Sequence, residues 1–157
     1  MFDLRRLSFG GPAAIVTSMA LIVGLGAATA AKAAIVGSLL VIGLADNLTD
    51  SLSVHIYQEA EQLAHRQAFQ TTAANYVARA AITASFVLLV LLFPPKGAAI
   101  AAVAWGVFLL SALSYLLAKA RQAGPFGEIV KHTGVAFAVI VMSKAIGLLI
   151  QGAAGTA

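Results

Sequence analysis

The sequence predicts an all-α integral membrane protein with five transmembrane helices, and three observations carry that prediction. Hydrophobic residues make up 61% of the 157 and charged residues only 10%, where soluble domains carry roughly a quarter charged. Mean hydropathy is +0.94. The apolar residues also fall into runs close to the ~20 residues that an α-helix needs to cross the hydrocarbon core, separated by Lys/Arg or by Gly and Pro.

Helices are expected over residues 10–31, 33–62, 74–93, 97–119 and 131–152. The first carries no charge, and its Gly24, Gly26 and many alanines suit close helix approach in lipid. Its length and the apolar segment that follows read as a retained span rather than a cleaved signal peptide. The second run, from Ala33 to Ala45, is short alone but makes one span with the polar residues Asp46 to Tyr57. The third is stopped by Pro94-Pro95, which cannot continue a helix. The fourth ends before "KARQAGPFGEIVK", where Gly124-Pro125 and Gly127 read as a loop. The fifth runs from Lys131. Together they make residues 1–157 one transmembrane domain. A cytoplasmic N-terminus puts Arg5, Arg6, Arg66, Arg79, Lys119, Arg121 and Lys131 inside and only Lys32 and Lys96 outside, with the C-terminus outside.

The formal charge of +4 does not indicate nucleic acid, because the basic residues are scattered without a patch or interleaved aromatics. Without cysteine there is no thiolate metal site. No nucleophile–base pairing, phosphate-cradling loop or HExxH motif appears, so the chain reads as a non-enzyme without a tightly bound cofactor.

One stretch concentrates polarity inside an apolar segment: "GLADNLTDSLSVHIYQEAE". Asp46, Asp50, Ser53, Tyr57 and Glu61 recur at spacings of three and four and so share one helical stripe. A carboxylate at mid-bilayer costs about 2.5–3.5 kcal/mol on insertion scales, so the stripe must face protein or water. Asp46, Asn47, Asp50 and Ser53 are candidates for an ion path, with Asp50 and Asp46 as metal ligands. The structural alternative gives Asp46 an intramembrane partner, Lys144, which counting residues from the inner ends of the second and fifth segments places at a similar depth. Further along, His55 with Glu59 and Glu61 with His65 are each four apart, and carboxylate with imidazole suits Fe(II), Mn(II) or Zn(II). These four are candidates for collecting metal on the cytosolic side. His132 reads as interfacial, Met19 and Met142 as packing residues, and Trp105 as packed between helices.

The run "LLVIGLADNLTDSLSV", with "AAIVTSMALIVG" before it and "KHTGVAFAV" in the last segment, resembles the vacuolar iron transporter family, the Ccc-type iron and manganese transporters. Gly43, Leu44, Ala45, Asp50 and Ser53 match that family's second-helix pattern GLANxxADxxSMxxGEY. The resemblance implies five spans, a homodimer with the ion path at its axis, and export of cytosolic Fe(II) or Mn(II) in exchange for protons, here in a bacterial inner membrane. Three positions depart from the pattern. Ala13 stands where the family's first helix has an ion-binding aspartate, Val54 replaces a methionine, and the GEY glutamate falls near Gln58, beside Glu59. Two functions follow from these residues: transport of divalent Fe or Mn, or a non-transporting membrane protein that keeps the fold and uses the polar stripe for helix pairing and dimer assembly.

Overall fold

The computed structural model describes residues 10–29, 31–62 and 64–154. Those residues form five α-helices and no strand: α1 (Gly11–Ala28), α2 (Lys32–Ala60), α3 (His65–Leu92), α4 (Pro95–Ala120) and α5 (Pro125–Ala154). Each is long and apolar enough to cross a membrane. Arg5 and Arg6 lie outside the described residues.

The helix limits follow from local chemistry. Prolines open three helices: Pro12 lies in the first turn of α1, Pro95 opens α4 and Pro125 opens α5, positions where the missing N–H costs nothing and φ is already helical. The Pro94-Pro95 pair therefore ends α3 and starts α4 within three residues. Pro125 and Gly127, expected in a loop, are helical, and the connection shrinks to residues 121–124. The α2–α3 and α4–α5 turns are equally tight, each reversing through a residue at positive φ, Gln62 at 56° and Gln122 at 55°.

The largest departure from expectation is α3, which begins at His65, nine residues before the expected Ala74. The polar run Arg66 to Asn75 lacks a breaker, and its glutamines, alanines and Arg66 are adequate helix formers. Extending α3 downward puts Arg79 in its fifteenth position rather than beside its inner end.

Helix α1 packs against all four others, which form an arc around it in chain order: α2 on α3, α3 on α4, α4 on α5. The arc does not close between α2 and α5. These two are also the least covered, with 17% and 11% of their apolar windows buried. The core is small and mostly aliphatic, with one phenylalanine: Ile15, Met19 and Ile22 of α1 meet Ile35, Leu39, Phe86, Val90, Ala102 and Leu110. Lipid is as apolar as these side chains, so close backbone approach does the holding. The tightest case joins α1 and α5, where a Cβ on Gly147 would come within 2.1 Å of the Gly24 carbonyl oxygen.

Candidate functional site: a buried arginine between two aspartates

Arg79 is fully buried, yet it lies in a helix whose neighbours supply oxygen on every side. Its Nε donates to Asn47 Oδ1 at 2.9 Å, Nη1 to the Gly10 carbonyl at 2.9 Å, and Nη2 to Asp46 Oδ2 at 2.7 Å. Asp50 Oδ2 lies 2.5 Å from Nη1. The planar fork of a guanidinium is the one cationic side chain that serves four such acceptors at once. Asp46, Asn47 and Asp50 reach it together because positions one and four apart on α2 flank the same groove. Gly10 belongs to the arrangement too: a Cβ there would lie 2.6 Å from Arg79 Cδ and 2.7 Å from Asn75 Oδ1.

The cluster sits at the centre of its helix, Asp46 being the midpoint of the 29 residues of α2. Both carboxylates keep one open side, with side-chain exposures of 42% for Asp46 and 41% for Asp50. Fully ionised, two aspartates and one arginine leave one negative charge. Beside them lies a cavity of about 10 Å³, lined among others by Thr17, Ser18, Asp46, Asn47 and Thr83. That volume suits a single water, and the Asn47 Nδ2 donor, buried without a protein partner, belongs to its wall.

Two expectations are corrected here. Arg79, counted among the charges of the cytoplasmic side, is the buried counter-ion of the polar stretch. Asp46 pairs with Arg79 and not with Lys144, which is exposed and forms no ion pair among the described residues. The depths explain it. Ser143, the neighbour of Lys144, packs on Gly24, whereas Arg79 holds Asp46 beside Gly10. Fourteen residues of α1 separate the two levels, about 21 Å at 1.5 Å per residue. In addition, α5 packs on α1 and α4 rather than on α2.

Ser53 shares the stripe but turns its hydroxyl back to the Thr49 carbonyl at 2.9 Å, and remains exposed. The buried polar residues of α2 are instead Asn47, Ser51 and Gln58, and Asn75 of α3 reaches Ser51 Oγ at 3.5 Å. Sequence reasoning missed Ser51, Asn75, Arg79 and Thr83. The signal existed in Asn75 and Arg79, four apart and therefore on one face of a segment otherwise apolar from Ala80 onward.

At the α2–α3 turn the expected metal-collecting residues come together in part. His55 Nε2 is 3.3 Å from Glu59 Oε1, and His65 Nδ1 is 3.6 Å from the same oxygen. The ligand atoms of the three residues lie within 4.8 Å of one another. Glu61 does not join them: α2 ends at Ala60 and Glu61 is in the turn, so the helical spacing that would pair it with His65 is lost. Elsewhere, His132 bonds Ser114 at 2.8 Å between α5 and α4. Trp105 donates to Ser85 at 3.0 Å and stacks on Phe108. Met19 is buried in the core, while Met142 is exposed.

The fold and site define a five-helix membrane bundle with an arginine–dicarboxylate cluster at the level where α1 begins. Comparison with family models, curated proteins and solved structures finds no match.

Proposed function

We propose that the chain is a membrane transporter that moves divalent Fe or Mn out of the cytosol as a homodimer, with Asp46 and Asp50 of both copies lining the path. One observation carries the reading: the Asp46–Asp50–Arg79 cluster holds two carboxylates against one cation and leaves both carboxylates partly exposed. Uncompensated charge in hydrocarbon is expensive. Two copies facing each other across a two-fold axis bring two excess negative charges together, the charge that a single divalent cation balances. Oxygen-rich ligation suits Mn(II) and tolerates Fe(II). The connections bearing Arg66, Lys119, Arg121 and Lys131 against those bearing Lys32 and Lys96 support an orientation with the α2–α3 and α4–α5 turns in the cytoplasm, in a bacterial inner membrane.

The test is metal flux into proteoliposomes loaded with a metal-sensitive dye, comparing wild type with Asp50→Asn. The reading expects Mn(II) or Fe(II) entry that falls at least tenfold in the variant. Equal flux in both removes Asp50 from the path.

A second reading has its own observation. Arg79 already occupies the centre of the carboxylate pair, as a cation permanently tethered to the site would. In that case the protein does not transport, and the polar stripe serves helix pairing and dimer assembly. Absence of flux from correctly folded wild type, together with loss of assembly in Arg79→Gln, selects this reading.

A further inference from the structure

We infer that His55, Glu59 and His65 form a divalent transition-metal site that clips the end of α2 to the start of α3. The site is separate from the arginine–aspartate cluster: Asp50 and Glu59 are nine positions apart on α2, about 14 Å of rise. It does not depend on whether the chain transports.

The argument begins with the hydrogen bonds of Thr72. Its hydroxyl has one proton, and the 2.9 Å bond to the Ala68 carbonyl uses it. With that proton committed, the 3.3 Å contact between Thr72 Oγ1 and His55 Nδ1 suits the tautomer in which Nδ1 donates and Nε2 is the acceptor. Nε2 lies 3.3 Å from Glu59 Oε1. Two acceptors facing each other need a cation between them, either a proton or a metal ion. A third acceptor converges on the same carboxylate oxygen, because His65 Nδ1 is 3.6 Å from it.

The spacing fits a metal. With bonds of about 2.0–2.2 Å, donors arranged tetrahedrally lie about 3.3–3.6 Å apart; two of the three contacts are 3.3 and 3.6 Å, and the third, between the two histidines, lies within 4.8 Å. Two imidazoles and one carboxylate select borderline divalent ions, Zn(II), Fe(II) and Co(II), over the hard Ca(II) and Mg(II). Thr72 performs the orienting task that a hydrogen-bond partner of a ligating histidine performs in metal sites generally. His55 and Glu59 belong to α2 and His65 is the first residue of α3, so a bound ion closes the turn that contains Gln62 at positive φ.

The test is titration of the full chain in nanodiscs with Zn(II) alone, read by calorimetry and by thermal melting. In Asp50→Asn, which removes the proposed path site, one equivalent per chain is expected, with affinity lowered at least tenfold by adding His65→Ala and about 10–100-fold by adding Thr72→Val, and unchanged by adding Glu61→Gln. A hundredfold excess over Kd should raise Tm by roughly 5–10 °C in wild type and in Asp50→Asn, but not in His55→Ala/His65→Ala. The inference is overturned if that double variant binds Zn(II) as wild type does, if Asp50→Asn abolishes binding, or if binding leaves Tm unmoved. None of these readouts depends on flux, so failure of the clip and failure of the transport reading are distinguishable.

Discussion

Arg79 of α3 holds Asp46 of α2 at 2.7 Å from the buried side while the aspartate keeps its other side open. The pair therefore has an asymmetric response to mutation. Removing the arginine strands two carboxylates at the middle of a spanning helix. Breaking a buried ion pair costs about 3–5 kcal/mol, and the open side of both aspartates lowers that to about 2 kcal/mol through solvent screening. Arg79→Gln is expected to lower Tm by roughly 4–8 °C and to reduce the monodisperse fraction after extraction. Arg79→Lys should fall between, since one ammonium cannot serve Asn47, Gly10 and both aspartates at once. The triple variant Arg79→Gln/Asp46→Asn/Asp50→Asn leaves no stranded charge and should recover most of the loss. A triple variant as unstable as Arg79→Gln would show that the guanidinium acts by packing alone.

Helix spacing gives a contrast between two glycines. A Cβ on Gly147 meets the Gly24 carbonyl at 2.1 Å and Ala27 Cβ at 2.9 Å, so α1 and α5 must separate. A Cβ on Gly106 would also come within 2.1 Å of a heavy atom, but that atom is Met19 Sδ, on a side chain with three rotatable bonds. Overpacking costs about 1–3 kcal/mol. Gly147→Ala should lie at the upper end of that range and Gly106→Ala at the lower, as measured by thermal melting in one detergent. Equal shifts would mean that α5 tilts as readily as a methionine repacks.

A gain in stability is expected at the α4–α5 turn. Gln122 has φ of 55°, and the following amide, Ala123 N–H, donates to the Ala118 carbonyl at 2.9 Å. That is the helix ending in which glycine is preferred, since an L side chain at positive φ costs about 1 kcal/mol. Gln122→Gly should raise Tm by about 2–4 °C and Gln122→Val should lower it. A fall in Tm with glycine would show that the side chain contributes more than the strain removes.

The five spans were legible because their signal is local: run length, proline and charge suffice to place them, and only α3 and α5 were misplaced, beginning nine and six residues before the expected positions. What the sequence hid was depth. Residues Arg66 to Asn75 carry enough polarity to read as a loop, so Arg79 was counted as an inner-surface charge. Lys144 was matched to Asp46 by counting along two helices whose relative shift is fixed by a third, through Gly147 and Gly24. His55, Glu59 and His65 were legible as metal-ligating types, but convergence on one Glu59 oxygen depends on the turn geometry at Gln62, which no helical spacing describes. The resemblance to iron transporters rested on Gly43 to Ser53 together with segments of the first and last helices; of that stretch Asp46, Asn47 and Asp50 meet Arg79, and Ser51 rather than Ser53 is buried.

The direction in which α2 meets a second copy is open to a discriminating test, because the chain has no cysteine and introduced thiols report alone. Ser53 lies on the same stripe as Asp46 and Asp50 and is exposed. Leu48 is exposed too, but five residues at about 100° each place it about 140° away around the helix. It shares its face with Leu40, Leu44 and Leu52, all more than half exposed, a leucine ridge suited to lipid. If the carboxylates face a dimer axis, Ser53→Cys in native membranes should form a disulfide-linked dimer under mild oxidation, and Leu48→Cys should remain monomeric. A Cα separation below about 7 Å is needed for such a bridge, so the result is sensitive to register as well as face. Cross-linking through Leu48 and not Ser53 would turn the aspartates away from the axis and remove the shared two-copy cation site.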